Sequence, residues 1–245
     1  MIRLMDIQTD AEVRFISRPN RFLGIIEDPD GEAGAETKVH VHDPGRLQEL
    51  LYPGNRVLVR RASNPNRKTK WDMIAARFND EWILINSGFH RRIMEIILAN
   101  PEINPVPEMV TWKAEVKAGD SRLDFVGQTA DDTPVAIETK GCTLAVSSVG
   151  LFPDAPTIRG ARHLENLVTL IKDGYKTYVL IMLFRPDAMA FAPYRHRDPH
   201  FANCFYKAVD AGVIVKPLLL RFDGKSVHYL GQVPVLIRNS VKEPG

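Results

Sequence analysis

From Glu12 to about Asn79 the apolar positions recur in short runs. "EVRFIS", "RFLGIIE", "TKVHVH", "NRVLVRR" and "WDMIAARF" alternate or run apolar between turn residues, the pattern of strands. One stretch breaks the rhythm. In "DPGRLQELLYPG", residues 43–54, Leu47, Leu50 and Leu51 repeat at i, i+3, i+4 and predict a short helix ended by Pro53-Gly54. Three strands, a short helix and two strands is the layout of an OB-type five-stranded barrel.

After "NDEWILINS" the period changes, which places a domain boundary near Asn86 and divides the chain into 1–85 and 86–245. In "HRRIMEIILAN", Ile93, Ile96 and Ile97 are spaced as on a helix, and "NPEINPVP" is too proline-rich to continue it. Then come "TWKAEVKAG", the hairpin "SRLDFVGQTADDTPVAIETKG", and "FPDAPTIRGARHLENLVTLIKDG". In the last, Leu164, Leu167, Val168 and Ile171 predict an amphipathic helix capped by Asp154 and closed by Gly174. "KTYVLIMLF" reads as a strand buried on both faces, "DPHFANCFYKAVDAG" as a helix and "VIVKPLLLRF" as another buried strand. The expected fold class is therefore α/β with an all-β N-terminal domain, the second domain being a mixed sheet with helices on both faces.

Composition narrows the function classes. The 245 residues are 44% hydrophobic and 25% charged, an ordinary globular balance. No apolar run approaches the roughly 18 residues of a membrane span, and the first residues lack the apolar core of a secretory signal, so a cytoplasmic protein is expected. The net charge of +2 means that any nucleic-acid footprint must be local. Cys142 and Cys204 lack a CxxC spacing and read as buried small hydrophobes. His40 and His42, two apart on a strand with no third ligand nearby, read as strand-surface residues.

The hairpin carries the candidate chemistry. Alternation puts Leu123, Phe125, Val135 and Ile137 on one face and Asp124, Glu138 and Lys140 on the other. With the turn centred on Asp131, Asp124 opposes Glu138 and Arg122 opposes Lys140. Opposed Cβ atoms lie about 4.5–5.5 Å apart. Two carboxylates that close repel unless a positive charge joins them. Mg²⁺ would do so, with Lys140 free to stabilise charge during phosphodiester cleavage. The alternative is that Arg122 and Lys140 neutralise the acids as ordinary ion pairs on a solvated face.

"DPGRLQELL", "NPNRKTKWD", "GDSRLDF", "ETKGCTL", "FPDAPTIRGARHL" and "RPDAMAFAP" together resemble the sugar fermentation stimulation protein A family, over about Arg14 to Val235. The resemblance implies an OB-like domain followed by a restriction-endonuclease-like domain of the PD-(D/E)xK type, DNA binding, and a link to regulation of maltose metabolism. It places the nuclease-type core on Asp124, Glu138 and Lys140, with Glu95 as an accessory ligand and Mg²⁺ or Mn²⁺ as cofactor. Leu123 stands where the superfamily name has proline, and "DPGRL" departs from the family's "NTGRM".

DNA is the expected partner. In the first domain Arg46, Arg60, Arg61, Arg67, Lys68 and Lys70 would contact phosphates and Trp71 would stack on bases. In the second, Arg159 and Arg162 lie in the first turns of the helix after "FPDAPT", where an anion is favoured. The readings are a Mg-dependent phosphodiesterase acting on DNA, a binding-only regulator with a catalytically silent nuclease fold, and a hydrolase of small phosphate esters.

Overall fold

The computed structural model describes residues 1–64, 66–118 and 121–236. They form two units: Met1–Ile93 with Leu220–Leu230, and Met94–Leu219 with the segment from Gly231. The first unit thus also includes a late segment of the chain, Leu220–Leu230.

In the first unit, β1 (Ile2–Asp6) precedes five strands that the alternating pattern predicts: β2 (Ala11–Asn20), β3 (Leu23–Glu27), β4 (Glu36–His40), β5 (Arg56–Arg61) and β6 (Trp71–Phe78). β2 pairs antiparallel with β3 and β5, β3 with β4, and β5 with β6. A parallel pairing of β4 with β6, Val39 opposite Trp71, closes the ring. The order round the barrel is β2-β3-β4-β6-β5, the Greek-key closure of an OB fold. Alternate residues Val13, Phe15, Ile26, Val39, Val57, Val59 and Met73 turn inward and are buried. β7 (Glu81–Leu84) extends the sheet beyond β6.

Residues 43–54 do not form the predicted helix. Leu50 and Leu51 both donate their backbone N–H to the Leu47 carbonyl, at 3.1 and 2.7 Å, and Leu47 has φ +51°. The proline-glycine pairs on either side leave room for a single turn, and one turn fixes backbone for little hydrogen bonding. The three leucines still serve the core, all being buried.

Trp71 is another correction. It is 2% exposed inside the barrel with the Arg61 guanidinium 4.7 Å above its ring, so it presents no open face to a base. Its neighbour Asp72, also buried, is held by His42 at 3.1 Å and Arg67 at 2.8 Å. Burial raises the Asp72 pKa, but the bonds and charges of His42 and Arg67 outweigh it and the net shift is downward. A depressed folded pKa gives stability that is present at neutral pH and lost as pH falls below the ordinary carboxylate range. The stability gap between wild type and Asp72→Asn, measured by urea denaturation, is therefore expected to narrow from neutral pH to about pH 3.

α1 (His90–Ala99) leads into the second unit. There β8 (Met109–Ala118), β9 (Ser121–Thr129) and β10 (Pro134–Cys142) form an antiparallel meander. A small sheet follows, with β11 (Ala145–Val146) and β12 (Val149–Phe152), then α2 (Ile158–Lys172), β13 (Lys176–Leu183), β14 (Ala190–Pro193), α3 (Pro199–Asp210), β15 (Ile214–Phe222) and β16 (Ser226–Gln232). β10, β13 and β15 run parallel, so this unit's sheet is ordered β15-β13-β10-β9-β8. β16 pairs with β1 in the first unit.

α2 and α3 pack together against β10 and β13: Leu164 and Leu167 of α2 and Phe201 and Phe205 of α3 share a core with Val179, Ile181 and Leu183. Burying each leucine contributes about 1.5–3 kcal/mol. The α2 cap is Thr157, whose hydroxyl accepts from the Gly160 N–H at 3.0 Å, and not Asp154 as expected. Gly174 does close the helix, in the left-handed region at φ +86°. Among the described residues no helix is long and apolar enough to cross a membrane.

Candidate functional site

β10 is a central strand, and its sequence "PVAIETKGC" is buried on both faces over its first half. Its pairing with β9 sets Ile137 opposite Phe125, so the next residue, Glu138, stands level with Asp124. Its pairing with β13 sets Glu138 beside Val179 and Lys140 beside Ile181, two positions on the face that α2 covers. The face that carries the charges is therefore not a solvated one. Glu138 is 2% exposed.

Within the site each charged group has a partner. Asp124 Oδ2 accepts from the Thr139 backbone N–H and from the Thr139 hydroxyl, both at 2.7 Å. Lys140 Nζ donates to Glu138 Oε1 at 2.5 Å. His163, on the first turns of α2, bonds the same oxygen through Nδ1. Arg159, one turn earlier, donates from Nε to His163 Nε2 at 3.2 Å. Because Nε2 accepts, the ring proton sits on Nδ1 and points at Glu138. The Lys140 Nζ to His163 Nδ1 separation of 3.5 Å is then a contact between two donors that share one acceptor.

The electrostatics separate the two acids. Burial, reinforced by the Glu138 charge, pushes Asp124 above the ordinary carboxylate range despite its bonds to Thr139. Burial also pushes Glu138 upward, but the His163 hydrogen bond and the Lys140 charge outweigh it, and Glu138 lies below its ordinary value. Its second oxygen, Oε2, is buried and has no hydrogen-bond partner. A buried carboxylate oxygen left that way is costly unless something electropositive meets it.

Sequence reasoning brought Asp124, Glu138 and Lys140 together and did not include His163 in the site. The i, i+4 spacing of Arg159 and His163 on one helix face was the available signal. Arg122 does not turn to Lys140 but pairs with Glu115 across the β8–β9 ladder. Glu95 is half-buried on α1. Among the described residues, no trio of His, Cys, Asp or Glu ligand atoms within 4.8 Å includes Glu95 with the acid pair.

Of the basic residues in the first unit, Arg60 lies 5.2 Å over the Phe89 ring, Arg61 pairs with Asp30 and Arg67 with Asp72. Lys68, Lys70 and Arg46 are exposed, as are Arg159 and Arg162 in the second unit. Lys68 and Lys70 lie in the β5–β6 connection, which joins the fourth and fifth strands of the barrel. Arg185 of "RPDAM" is fully buried, paired with Asp187 at 2.7 Å and donating toward the Thr143 and Ala145 carbonyls.

Fold and site define a two-domain class: an OB barrel joined to an α/β domain in which neighbouring strands β9 and β10 bring together an acid pair and a lysine. The chain belongs to the sugar fermentation stimulation protein family. The sugar fermentation stimulation protein RE domain matches residues 88–226, and the SfsA N-terminal OB domain matches residues 16–85. The sugar fermentation stimulation protein homolog of Methanococcoides burtonii is 48% identical over 95% of this chain and 94% of its own. That of Methanothermobacter thermautotrophicus is 41% identical over 100% of this chain and 99% of its own. The solved structure of Pyrococcus furiosus SfsA in complex with Ca²⁺ is 26% identical, covers 97% of this chain and 100% of its own, and superposes with a TM-score of 0.85.

Proposed function

We propose that this protein binds DNA and hydrolyses phosphodiester bonds with a divalent cation held by Asp124 and Glu138. The observation that carries the reading is the Glu138 carboxylate: buried, ionised, and with one oxygen satisfied and the other open. The donors are hard carboxylate oxygens, which suit Mg²⁺ or Mn²⁺. The Pyrococcus furiosus relative was solved with Ca²⁺, a cation of the same oxygen preference. Such an ion supplies Lewis acidity and lowers the pKa of a bound water.

The chain's own residues do the rest. His163 and Lys140 hold Glu138 Oε1, keep the carboxylate ionised and leave Oε2 for the cation. Thr139 fixes one Asp124 oxygen. Lys140, whose ammonium lies beside Glu138, would stabilise a phosphoryl oxygen gaining charge. Arg159, exposed beside His163, is placed to hold a substrate phosphate.

The test incubates purified protein with DNA and Mg²⁺ or Mn²⁺, next to an Asp124→Asn, Glu138→Gln double variant. Cleavage by wild type only, with at least a thousand-fold loss in the variant (about 4 kcal/mol of barrier), is the expected result. Retention of DNA by both without cleavage favours a second reading, a binding-only regulator. One observation speaks for that reading: Lys140 already neutralises Glu138, with His163 bonded to the same oxygen, without a cation.

DNA binding is assigned to the barrel on the position of its basic loop, since OB folds use the connection between strands four and five to contact oligonucleotides. Arg67 is a poor probe of that contact, because it also supports buried Asp72. Lys68→Ala with Lys70→Ala is expected to weaken binding alike across sequences and to flatten the logarithmic salt slope by about 2. An unchanged slope, measured by fluorescence anisotropy across salt, removes the loop from the interface.

A further inference from the structure

α2 carries a second cluster that the acid pair does not involve. Glu165 follows His163 by two residues, which turns it roughly 200° around the helix at 100° per residue. There it meets α3. Cys204 Sγ donates to Glu165 Oε1 at 3.6 Å and lies 3.8 Å from His200 Nε2. His200 and Cys204 are one turn apart, at i and i+4, so both project from the same side of α3. The three ligand atoms all lie within 4.8 Å of one another. Among the described residues, no other His, Cys, Asp and Glu side chains gather three ligand atoms that closely.

Chemistry and spacing agree. A thiolate, an imidazole and a carboxylate are a borderline-soft donor set, unlike the all-oxygen acid pair. A tetrahedral Zn²⁺ with Zn–S of about 2.3 Å and Zn–N or Zn–O of about 2.0–2.1 Å places sulfur roughly 3.5 Å from each of the other two donors. The observed 3.6 and 3.8 Å need only a few tenths of an ångström of adjustment. Cys204 is 9% exposed, while Glu165 and His200 reach solvent, which gives a cation an entry path and leaves a fourth position for water.

Contacts between the two helices brace the trio. Asp198 caps α3 by accepting from the Phe201 N–H at 2.9 Å, and its other oxygen accepts from the Thr157 N–H at the start of α2, at 2.8 Å. Gly160 of α2 packs so closely on Phe201 that an added Cβ would lie 3.2 Å from its ring. These contacts hold α2 against α3 near the ligand residues, as preorganisation of a metal site requires.

We propose that Glu165, His200 and Cys204 form a Zn²⁺ site that clips α2 to α3, distinct from the acid pair and independent of whether that pair cleaves DNA. The probe is Co²⁺ added to the chelator-treated full chain. One equivalent is expected to give an intense thiolate-to-cobalt charge-transfer band, bleached by Zn²⁺. Cys204→Ser is expected to abolish the band, His200→Gln to weaken Co²⁺ binding at least about tenfold, and the Asp124→Asn, Glu138→Gln variant to keep both. Absence of the band in wild type overturns the site. So does its persistence in Cys204→Ser, which would move it to Cys142. Should Cys204→Ser lose its fold by circular dichroism, unchanged Zn²⁺ affinity in both His200→Gln and Glu165→Gln overturns it equally.

Discussion

Glu138→Ala is expected to lower folding stability by about 3–5 kcal/mol, read from urea denaturation. The carboxylate is the shared acceptor of Lys140 and His163, whose side chains are each only 14% exposed. Without it, two donors 3.5 Å apart face each other beneath α2 with no counter-charge between them. The desolvated Lys140 ammonium must then deprotonate or move outward, His163 Nδ1–H is left without its acceptor, and either response disturbs the packing of α2 on β10. Glu138→Gln keeps a side-chain oxygen for one of the two donors and is expected to lose clearly less. The contrast decides how the cleavage assay is read: loss of cleavage in a folded glutamine variant reports on chemistry, whereas the same loss in the alanine variant reports on folding. If alanine and glutamine are equally harmless to stability, the cluster contributes nothing to the fold.

The same cluster shows what was legible in the sequence. Asp124 and Glu138 could be set level because a hairpin's register follows from its turn and both strands alternate cleanly. That their face would be buried could not be read from the hairpin, because burial there is imposed by α2, which arrives after the small β11–β12 sheet. His163 was missed for the same reason: its partner is 25 residues away, on a strand. The leucines at 47, 50 and 51 fit one turn as well as a helix, and only the backbone distinguishes them. Trp71 was read from its charged neighbours as a platform, when its place on an inward-facing barrel position makes it core. β1 was invisible because its partner, β16, lies at the far end of the chain. Local periodicity thus specified the strands of the barrel, and non-local packing decided which charged residues became a site.

Gly127→Ala is expected to cost about 3 kcal/mol or more. Gly127 is buried in β9, paired with Val135 of β10 on one side and Trp112 of β8 on the other. The β8–β9 register shifts between Met109 and Thr111, and this bulge drives the Thr111 carbonyl toward the glycine. An added Cβ would lie 2.1 Å from that oxygen and within 2.7 Å of the Met109 side chain. Methionine can move aside; a backbone carbonyl in a ladder cannot without breaking pairing. Relief must come from displacing β9, which carries Asp124 three residues earlier, so the variant is expected to lose divalent-cation binding together with stability. Gly54→Ala is the control: φ is +91° but no atom lies within 4 Å of the added Cβ, so only backbone strain of about 1 kcal/mol is expected. Comparable urea midpoints for the two variants would show that the close approach at Gly127 does not constrain the strand. A larger loss at Gly127, accompanied by loss of metal binding, ties the bulge to the placement of the acid pair.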